Sequence, residues 1–337
     1  MLMSKKVLAA IVAAVVVTSL LTGFWFVQSP PGGYRGPIEK VTLGAYPLVS
    51  ASLVYIAESR GYFVENGLDV SIKRYDTGIL AAEALLAGKV DISTAADFAF
   101  VGLNFKNSNL RVLTSIAESN NHFVIARRDH GVSQPSDLRG KRVGVSRGTN
   151  AELFLGLFLA FNGLSLRDVE VVDLTPSKIV DAISDGVIDA CVMWDPWVYE
   201  IEGRLKSNAV SWSAQTGLDY YNLLLSRTEW IETHRSAIER FLRAVVQAEQ
   251  FVKTNDEEAR RIIALELGYD AQYLDSVWKK HNFVVTLPQT LLFSMENGAR
   301  WRIENRLTDK TNVPNYLEFI YFDGLEAVKP EAVTIIH

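Results

Sequence analysis

The fold is decided by the stretch from Asp137 to Glu152, whose sequence is DLRGKRVGVSRGTNAE. Its pattern predicts a turn, a short buried strand from Arg142 to Val145 and a tight loop from Ser146 to Thr149. A helix should then begin, since Thr149 and Asn150 are both favourable N-cap residues. Such a helix N-terminus presents free backbone N–H groups and the positive end of the helix dipole. The stretch therefore indicates either an ordinary turn of an α/β domain or a binding site for an anionic or strongly polar small molecule.

The composition is that of an ordinary globular protein. A formal net charge of -5 provides no basic field, so we expect no nucleic-acid partner. The single cysteine, Cys191, excludes an intramolecular disulfide and leaves too few thiols for a cysteine zinc site. The five histidines are isolated from one another along the chain, and no common catalytic motif occurs. We therefore expect neither a metal site nor a cofactor.

The N-terminal residues 1–27 form a segment of a different kind. Lys5 and Lys6 precede an uncharged apolar run from Val7 to Val27. That length suits a membrane-spanning helix, which needs about 20 apolar residues. The lysines favour a cytoplasmic N-terminus and an exported body. We expect residues 7–27 to be an uncleaved anchor in the inner membrane rather than a cleaved signal, and residues 28–37 to be a linker. The body would then work in the periplasm or on the extracytoplasmic face.

The rest of the chain predicts two α/β lobes. Residues 40–127 have the pattern β-α-β-α-β-α-β-β, and a second run of the same kind begins at Gln134. From Thr228 onward the pattern is helical, with a first long helix expected from Trp230 to Lys253. We expect lobe 1 to comprise residues 38–127 plus 226–337, and lobe 2 to comprise residues 128–225. Because open parallel sheets bind ligands beyond the carboxyl ends of their strands, the two lobes should share a hinged cleft.

Four sequence segments resemble one protein family. They are AESRGYFVENGLDV (57–70), LLAGKVDI (85–92), DLRGKRVGV (137–145), and GVIDA followed by WDP (186–190 and 194–196). In this order they resemble the periplasmic solute-binding proteins of ABC importers, in the nitrate/sulfonate/taurine group of NMT1/THI5-like and SsuA-like proteins. The resemblance covers nearly all of residues 40–325. It implies a two-lobe type II periplasmic binding protein fold, no catalysis, and a monomer that delivers a small solute to an ABC permease in the membrane.

In that family the solute lies between the lobes, in contact with the loops that follow the strands. By position, the resemblance also places Leu48, Ala96 and Tyr220 at the cleft, while Glu118 is added because it falls at a predicted strand end. Thr77 and Asp97 also suit helix caps, and Trp194 also suits the core. The expected ligand-binding residues are Tyr46, Ser50, Thr77, Gly78, Asp97, Glu118, Ser146, Gly148, Thr149, Asn150, Trp194, Tyr221 and Asn222.

The charge of the solute is open, because two features oppose each other. The backbone N–H groups of the 146–149 loop, with Arg147 beside them, favour nitrate, bicarbonate or a sulfonate. Unpaired carboxylates at Asp97 and Glu118 would repel an anion and would suit the amino group of a substituted pyrimidine. The aromatic residues Tyr46, Phe98, Trp194 and Tyr221 could hold a flat ring between them. We expect a sulfonate-, nitrate- or taurine-like solute first, and a nitrogen heterocycle such as a thiamine pyrimidine precursor as the alternative.

Two other classes of protein share parts of this pattern. The fold class also resembles the thiamine-pyrimidine synthase, an enzyme with a cysteine-rich catalytic segment, which a chain with one cysteine does not have. A membrane-tethered sensor would need a cytoplasmic output domain, and the few residues before Val7 do not supply one. Both features favour transport over catalysis or sensing.

Overall fold

The computed structural model describes residues 34–215 and 217–337. The expected anchor at residues 7–27 and most of the linker lie outside the described residues. Among the described residues, no helix has the length and apolar character needed to cross a membrane. These residues form two β-sheets that are covered by helices, which is the expected two-lobe α/β architecture.

The first part of the chain alternates strands with helices. Its elements are β1 (Glu39–Ala45), α1 (Ser52–Ser59), α2 (Tyr62–Glu65), β2 (Leu68–Arg74), α3 (Gly78–Leu86), β3 (Ile92–Ala96), α4 (Asp97–Lys106) and β4 (Leu110–Ser119). β1 pairs in parallel with both β2 and β3. Because parallel strands run in one direction, their carboxyl ends meet at one edge of the sheet. Tyr46, Thr77 and Asp97 all follow that edge.

The second sheet is built from the middle of the chain. Its elements are β5 (His122–Arg127), β6 (Arg142–Val145), α5 (Asn150–Phe161), β7 (Glu170–Asp173), α6 (Pro176–Ser184), β8 (Ala190–Trp194), α7 (Trp197–Leu205) and β9 (Ala209–Ser213). The strand order is β7-β6-β8-β5-β9. Val143 and Val145 are fully buried in this sheet, so the stretch from Asp137 to Glu152 forms the strand and helix start that its pattern predicts.

The chain then returns to the first sheet and ends in helices. Its elements are β10 (Tyr220–Arg227), α8 (Thr228–Thr233), α9 (Arg235–Thr254), α10 (Asp256–Leu267), α11 (Ala271–Trp278), β11 (His281–Asn282), α12 (Gln289–Glu304) and α13 (Phe322–Glu326). β10 lies antiparallel between β3 and β4, which gives the strand order β11-β4-β10-β3-β1-β2. The main core of the first lobe, which includes Phe100 and Phe241, lies between this sheet and its helices.

The points where the chain crosses between the sheets differ from the expected lobe boundaries at 127/128 and 225/226. β5, which was expected in lobe 1, pairs antiparallel with β8 and β9 of the second sheet. β10, which was expected mostly in lobe 2, belongs to the first sheet. The turn residues Asn120 and Asn121 separate β4 from β5 and mark the first crossing. The expected boundary at 127/128 lies at the next loop along the chain, after β5, whereas the one at 225/226 falls inside β10.

One buried side chain joins the two crossing segments. Gln215 Nε2 donates to the carbonyl oxygens of Ser119 and Leu218 at 2.9 and 2.7 Å. Gln215 Oε1 accepts from the backbone N–H groups of Asn121 and His122 at 2.7 and 2.8 Å. The amide is therefore fixed in one orientation at the hinge between the lobes.

Candidate functional site

A cleft lies where the edges of the two sheets face each other. Both lobes contribute to its walls, so closure of the lobes encloses whatever lies there. The lining residues are Tyr46, Leu48, Asp76, Thr77, Gly78, Ile79, Ala96, Ala99, His122, Thr149, Asn150, Trp194 and Tyr220.

The first lobe presents the N-terminus of α3 to the cleft. Thr77 caps this helix, since its Oγ1 accepts from the backbone N–H of Leu80 at 3.3 Å. Gly78 is the first helical residue, and a Cβ there would lie 2.9 Å from Tyr46 Cε1 and 3.0 Å from Ala95 Cα. Glycine is therefore required for the helix to begin this close to the tyrosine ring.

The second lobe presents the N-terminus of α5 from the opposite side. Thr149 is its N-cap residue, and the Thr149 hydroxyl donates to the Ser146 carbonyl at 2.6 Å. The Gly148 N–H donates to the Glu152 carboxylate at 2.8 Å. The first N–H groups of an α-helix have no partner within the helix. Because both helix ends line the cleft, their dipoles favour an anionic or strongly polar group between them.

An aromatic wall surrounds His122. Its ring centroid lies 4.9 Å from that of Phe154, 5.6 Å from that of Trp194 and 5.0 Å from that of Tyr220. Burial lowers the pKa of His122 to about 3 and raises the pKa of Tyr220 to about 12. Both groups are therefore neutral at physiological pH.

The tautomer of His122 follows from the fixed amide of Gln215. His122 Nδ1 lies 3.3 Å from Gln215 Oε1, which is an acceptor because it already accepts two backbone N–H groups. Nδ1 must then carry the proton of the neutral ring, and Nε2 is left as a hydrogen-bond acceptor. The wall of the cleft thus offers an acceptor rather than a positive charge at this position.

Asp97 lies behind the cleft and joins the two lobes. Its Oδ1 accepts from Asn150 Nδ2 and from the Phe98 N–H, both at 2.8 Å. Its Oδ2 accepts from Ser294 Oγ at 2.7 Å and from the Tyr221 N–H at 3.4 Å. Burial raises the pKa of Asp97, although the hydrogen bonds from Asn150 and Ser294 act in the opposite direction. The carboxylate therefore holds the start of α5 against the first lobe.

Replacing Asp97 with alanine should lower the free energy of unfolding by about 1–3 kcal/mol, because buried donors on both lobes lose their acceptor. Urea denaturation measures this change. Asp76→Ala is the matched control, since Asp76 is exposed at the edge of the cleft and should contribute less than about 0.5 kcal/mol. An equal loss in the two variants would contradict the bridging role of Asp97.

The structure separates the expected ligand-binding residues into two groups. Six of them line the cleft: Tyr46, Thr77, Gly78, Thr149, Asn150 and Trp194. Seven lie outside its lining: Ser50, Asp97, Glu118, Ser146, Gly148, Tyr221 and Asn222. Leu48, Ala96 and Tyr220, which were also expected at the cleft, are part of the lining.

The alternation of side chains along β10 explains why Tyr221 does not line the cleft. Tyr220 faces the cleft, and side chains alternate along a strand, so Tyr221 points to the opposite face of β10. There its hydroxyl donates to Thr290 Oγ1 at 2.7 Å. Glu118 lies on β4 near the edge strand and accepts from Asn282 Nδ2 at 3.0 Å. Both side chains are therefore engaged within the first lobe.

Ser50 and Asn222 lie one layer behind the wall of the cleft. Asn222 Nδ2 donates to the Ser50 carbonyl at 2.7 Å. Ser50 Oγ lies 3.4 Å from the Tyr46 hydroxyl. Both residues are buried, and they position the Tyr46 ring rather than line the cleft themselves.

Four lining residues were not expected from the sequence: Asp76, Ile79, Ala99 and His122. Asp76 and Ile79 flank Thr77 and Gly78, so the expected positions of these two neighbours could have indicated that Asp76 and Ile79 also line the cleft. His122 is directly opposite Trp194 in the antiparallel pair of β5 and β8. That pairing joins residues far apart in sequence, and no local pattern shows it.

Comparisons with known proteins agree with this architecture. A Brucella abortus relative, named only as a binding protein, is 27% identical over 231 residues, which are 67% of this chain and 70% of that protein. The taurine-binding periplasmic protein of Escherichia coli is 26% identical over 205 residues, which are 60% of this chain and 63% of that protein.

A solved structure shows the same fold. The alkanesulfonate-binding protein SsuA from Xanthomonas axonopodis pv. citri, bound to MOPS, superposes with a TM-score of 0.75 and 18% identity, covering 85% of this chain and 99% of that chain. At this identity the likeness concerns the fold. The model of the NMT1/THI5 like family matches residues 50–259, which is more than half of the sequence. The chain therefore belongs to the NMT1/THI5 like family.

Proposed function

We propose that this protein is the extracytoplasmic solute-binding component of an ABC importer, which holds a small solute between its lobes and delivers it to a membrane permease. The cleft, whose walls come from both lobes, carries this proposal. The lobes are also held together across it. Besides the bond between Asp97 and Asn150, Lys280 Nζ of the first lobe lies 2.8 Å from Asp195 Oδ2 of the second.

We propose a sulfonate or a similar small oxyanion as the solute. Two helix N-termini converge on the cleft, and this arrangement favours an anionic group. The relatives named for taurine and alkanesulfonate support the same class. The six predicted residues that line the cleft would contact this solute: Tyr46, Thr77, Gly78, Thr149, Asn150 and Trp194.

A nitrogen heterocycle is the second candidate, and the chemistry of the walls favours it. In the described part of the chain, no lysine or arginine lines the cleft. Tyr46, Trp194 and Tyr220 supply aromatic surface, and His122 Nε2 supplies an acceptor for an N–H or O–H donor. A flat ring with such a donor would satisfy these groups.

Binding rather than catalysis fits the state of the single thiol of the chain, which lies outside the lining of the cleft. Cys191 is fully buried, and burial raises the pKa of its thiol, so it is not a nucleophile. We further propose that the protein is monomeric, and that residues 7–27 tether it to the membrane beside its permease.

A thermal-shift screen of sulfonates, taurine, nitrate and pyrimidines tests this function with the purified full-length protein. A solute present at 100 times its dissociation constant should stabilise the fold by about 2.7 kcal/mol. A chain without a solute site would give the same melting temperature with every compound, and that result would overturn the proposal.

A further inference from the structure

A second polar feature lies beside the cleft, centred on Arg302 of α12. Its side chain is buried, with 6% of the residue exposed. The guanidinium lies 3.8 Å from the centre of the Phe98 ring. Its Nη2 donates to the carbonyl oxygens of Phe98 and Gly148 at 3.0 and 3.1 Å, which belong to the first and second lobes. Arg302 therefore lies at the seam between the lobes.

The negative charge of the buried Glu152 carboxylate acts on this cation and raises the pKa of Arg302, against the effect of burial. Glu152 forms its salt bridge with Arg147 instead, at 3.1 Å, and Arg302 Nε has no hydrogen-bond partner among the described residues. Burial lowers the pKa of Arg302 to about 10, so the group stays protonated at neutral pH. A buried charge without a partner is costly unless something neutralises it. The guanidinium thus retains capacity to bind an anion.

The surroundings of Arg302 leave room for an anion. Arg302 lines an open groove. A Cβ at Gly102 would lie 2.6 Å from Arg302 Cζ, so this glycine makes the space in which the guanidinium lies. The charged residues around the groove are four cations and two carboxylates: Lys106, Arg147, Arg302 and Lys310, with Glu83 and Asp309. With Glu152, which forms a salt bridge with Arg147, included, the cations still outnumber the carboxylates by four to three.

The groove and the cleft are adjacent. Ile79 and Ala99 line both of them. A Cβ at Gly148 would lie 3.2 Å from Ile79 Cδ1, so Ile79 lies against the loop of the second lobe that contacts Arg302. The cleft supplies aromatic surface and helix ends without a cationic side chain among the described residues, whereas the groove supplies the cations.

We propose that the Arg302 groove is an anion-binding subsite, and that it takes the sulfonate, carboxylate or phosphate group of a solute whose ring or alkyl body lies in the cleft. The link to a solute rests on the proposed function, whereas the affinity of the groove for an anion does not. Arg302 would bind the anion through the N–H groups that no carbonyl occupies. Arg147 of the second lobe, whose Nη1 pairs with Glu152 Oε1 at 3.1 Å, would contribute through its remaining N–H groups.

Inorganic sulfate and benzenesulfonate test the subsite by thermal shift on the full-length protein at constant ionic strength, with chloride as the reference salt. Sulfate should raise the melting temperature of the wild type, and Arg302→Met should abolish this shift. Arg147→Gln, at an exposed position, should reduce the shift and keep the fold. Lys279→Gln removes an exposed cation outside the groove and should leave the shift unchanged. Benzenesulfonate should bind more tightly than sulfate, because its ring would lie in the cleft and contact the aromatic walls there.

Each outcome decides one part of the proposal. A sulfate shift that persists in both Arg302→Met and Arg147→Gln, or no shift in the wild type, would overturn the anion subsite. Equal affinities for sulfate and benzenesulfonate would show a site for the free anion and overturn the link to the cleft. A third outcome is that no organic solute changes the melting temperature, whereas sulfate raises it only when Arg302 is present. That outcome would contradict the proposed function and support the anion subsite.

Discussion

Two buried histidines should together lower the free energy of unfolding by about 4 kcal/mol between about pH 7.5 and pH 5.0. Burial lowers the pKa of both His122 and His281 to about 3, whereas an unfolded histidine titrates near 6.5. Below about pH 6.5 the unfolded chain binds protons that the folded chain does not, so stability falls with pH. Each histidine contributes about 2 kcal/mol over the roughly 1.5 pH units involved.

The surroundings of His281 and two buried carboxyl groups also affect the pH dependence of stability. His281 faces Ser119, whose Oγ lies 2.7 Å from Nδ1, and the positive charge of Lys280 lowers its pKa further. The raised pKa values of Asp97 and Asp195 act in the opposite direction, since protonation of these buried carboxyls favours the fold.

Urea denaturation of His281→Phe at both pH values isolates one histidine. The loss on acidification should be smaller than in the wild type by about 2 kcal/mol. His234→Gln, which replaces a ring that is 36% exposed, should lose as much stability as the wild type. An undiminished loss in His281→Phe would contradict the assignment to buried neutral histidines.

Trp194→Ala should lower the free energy of unfolding by about 3–5 kcal/mol, since removing a buried tryptophan leaves a cavity. Trp194 is 7% exposed, ends β8 and packs in the core of the second lobe as well as lining the cleft. From the sequence, Trp194 suited either the core or the cleft, and in the structure it contributes to both. Equilibrium urea denaturation measures the loss.

The matched control lies in the same sheet. Trp212 of β9 is half-buried, packs beside Phe158 and does not line the cleft. Trp212→Ala should therefore destabilise the protein less than Trp194→Ala. Equal losses of unfolding free energy would show that the buried Trp194 stabilises this lobe no more than the half-buried Trp212 does.

Local patterns predicted most of the elements. β6 (Arg142–Val145) has the expected bounds and α5 begins at Asn150 as expected, because strand and cap signals are properties of neighbouring residues. The helix expected from Trp230 to Lys253 is divided at His234, whose backbone has φ -131° and whose ring stacks on Trp230. That break depends on packing, and helical periodicity continues across it.

The site was less predictable, because it is made by contacts between distant residues. The helix starts at Gly78 and Asn150 follow from caps and strand ends, which are local. The bond between Asp97 and Asn150 spans 53 residues, and the contact of Arg302 with Gly148 spans 154. No periodicity in the sequence indicates that a carboxylate at a strand end will accept a hydrogen bond from the other lobe. Nor does it indicate that a helix near the C-terminus will place a cation beside the cleft.

Isothermal titration calorimetry with the solute that gives the largest melting shift tests most directly whether the cleft binds a solute. We expect one solute bound per chain, an affinity at least about tenfold lower in Trp194→Ala, equivalent to about 1.4 kcal/mol, and an unchanged affinity in Trp212→Ala. Undiminished affinity in a folded Trp194→Ala protein would place the solute outside the cleft and contradict the role of the cleft as the binding site.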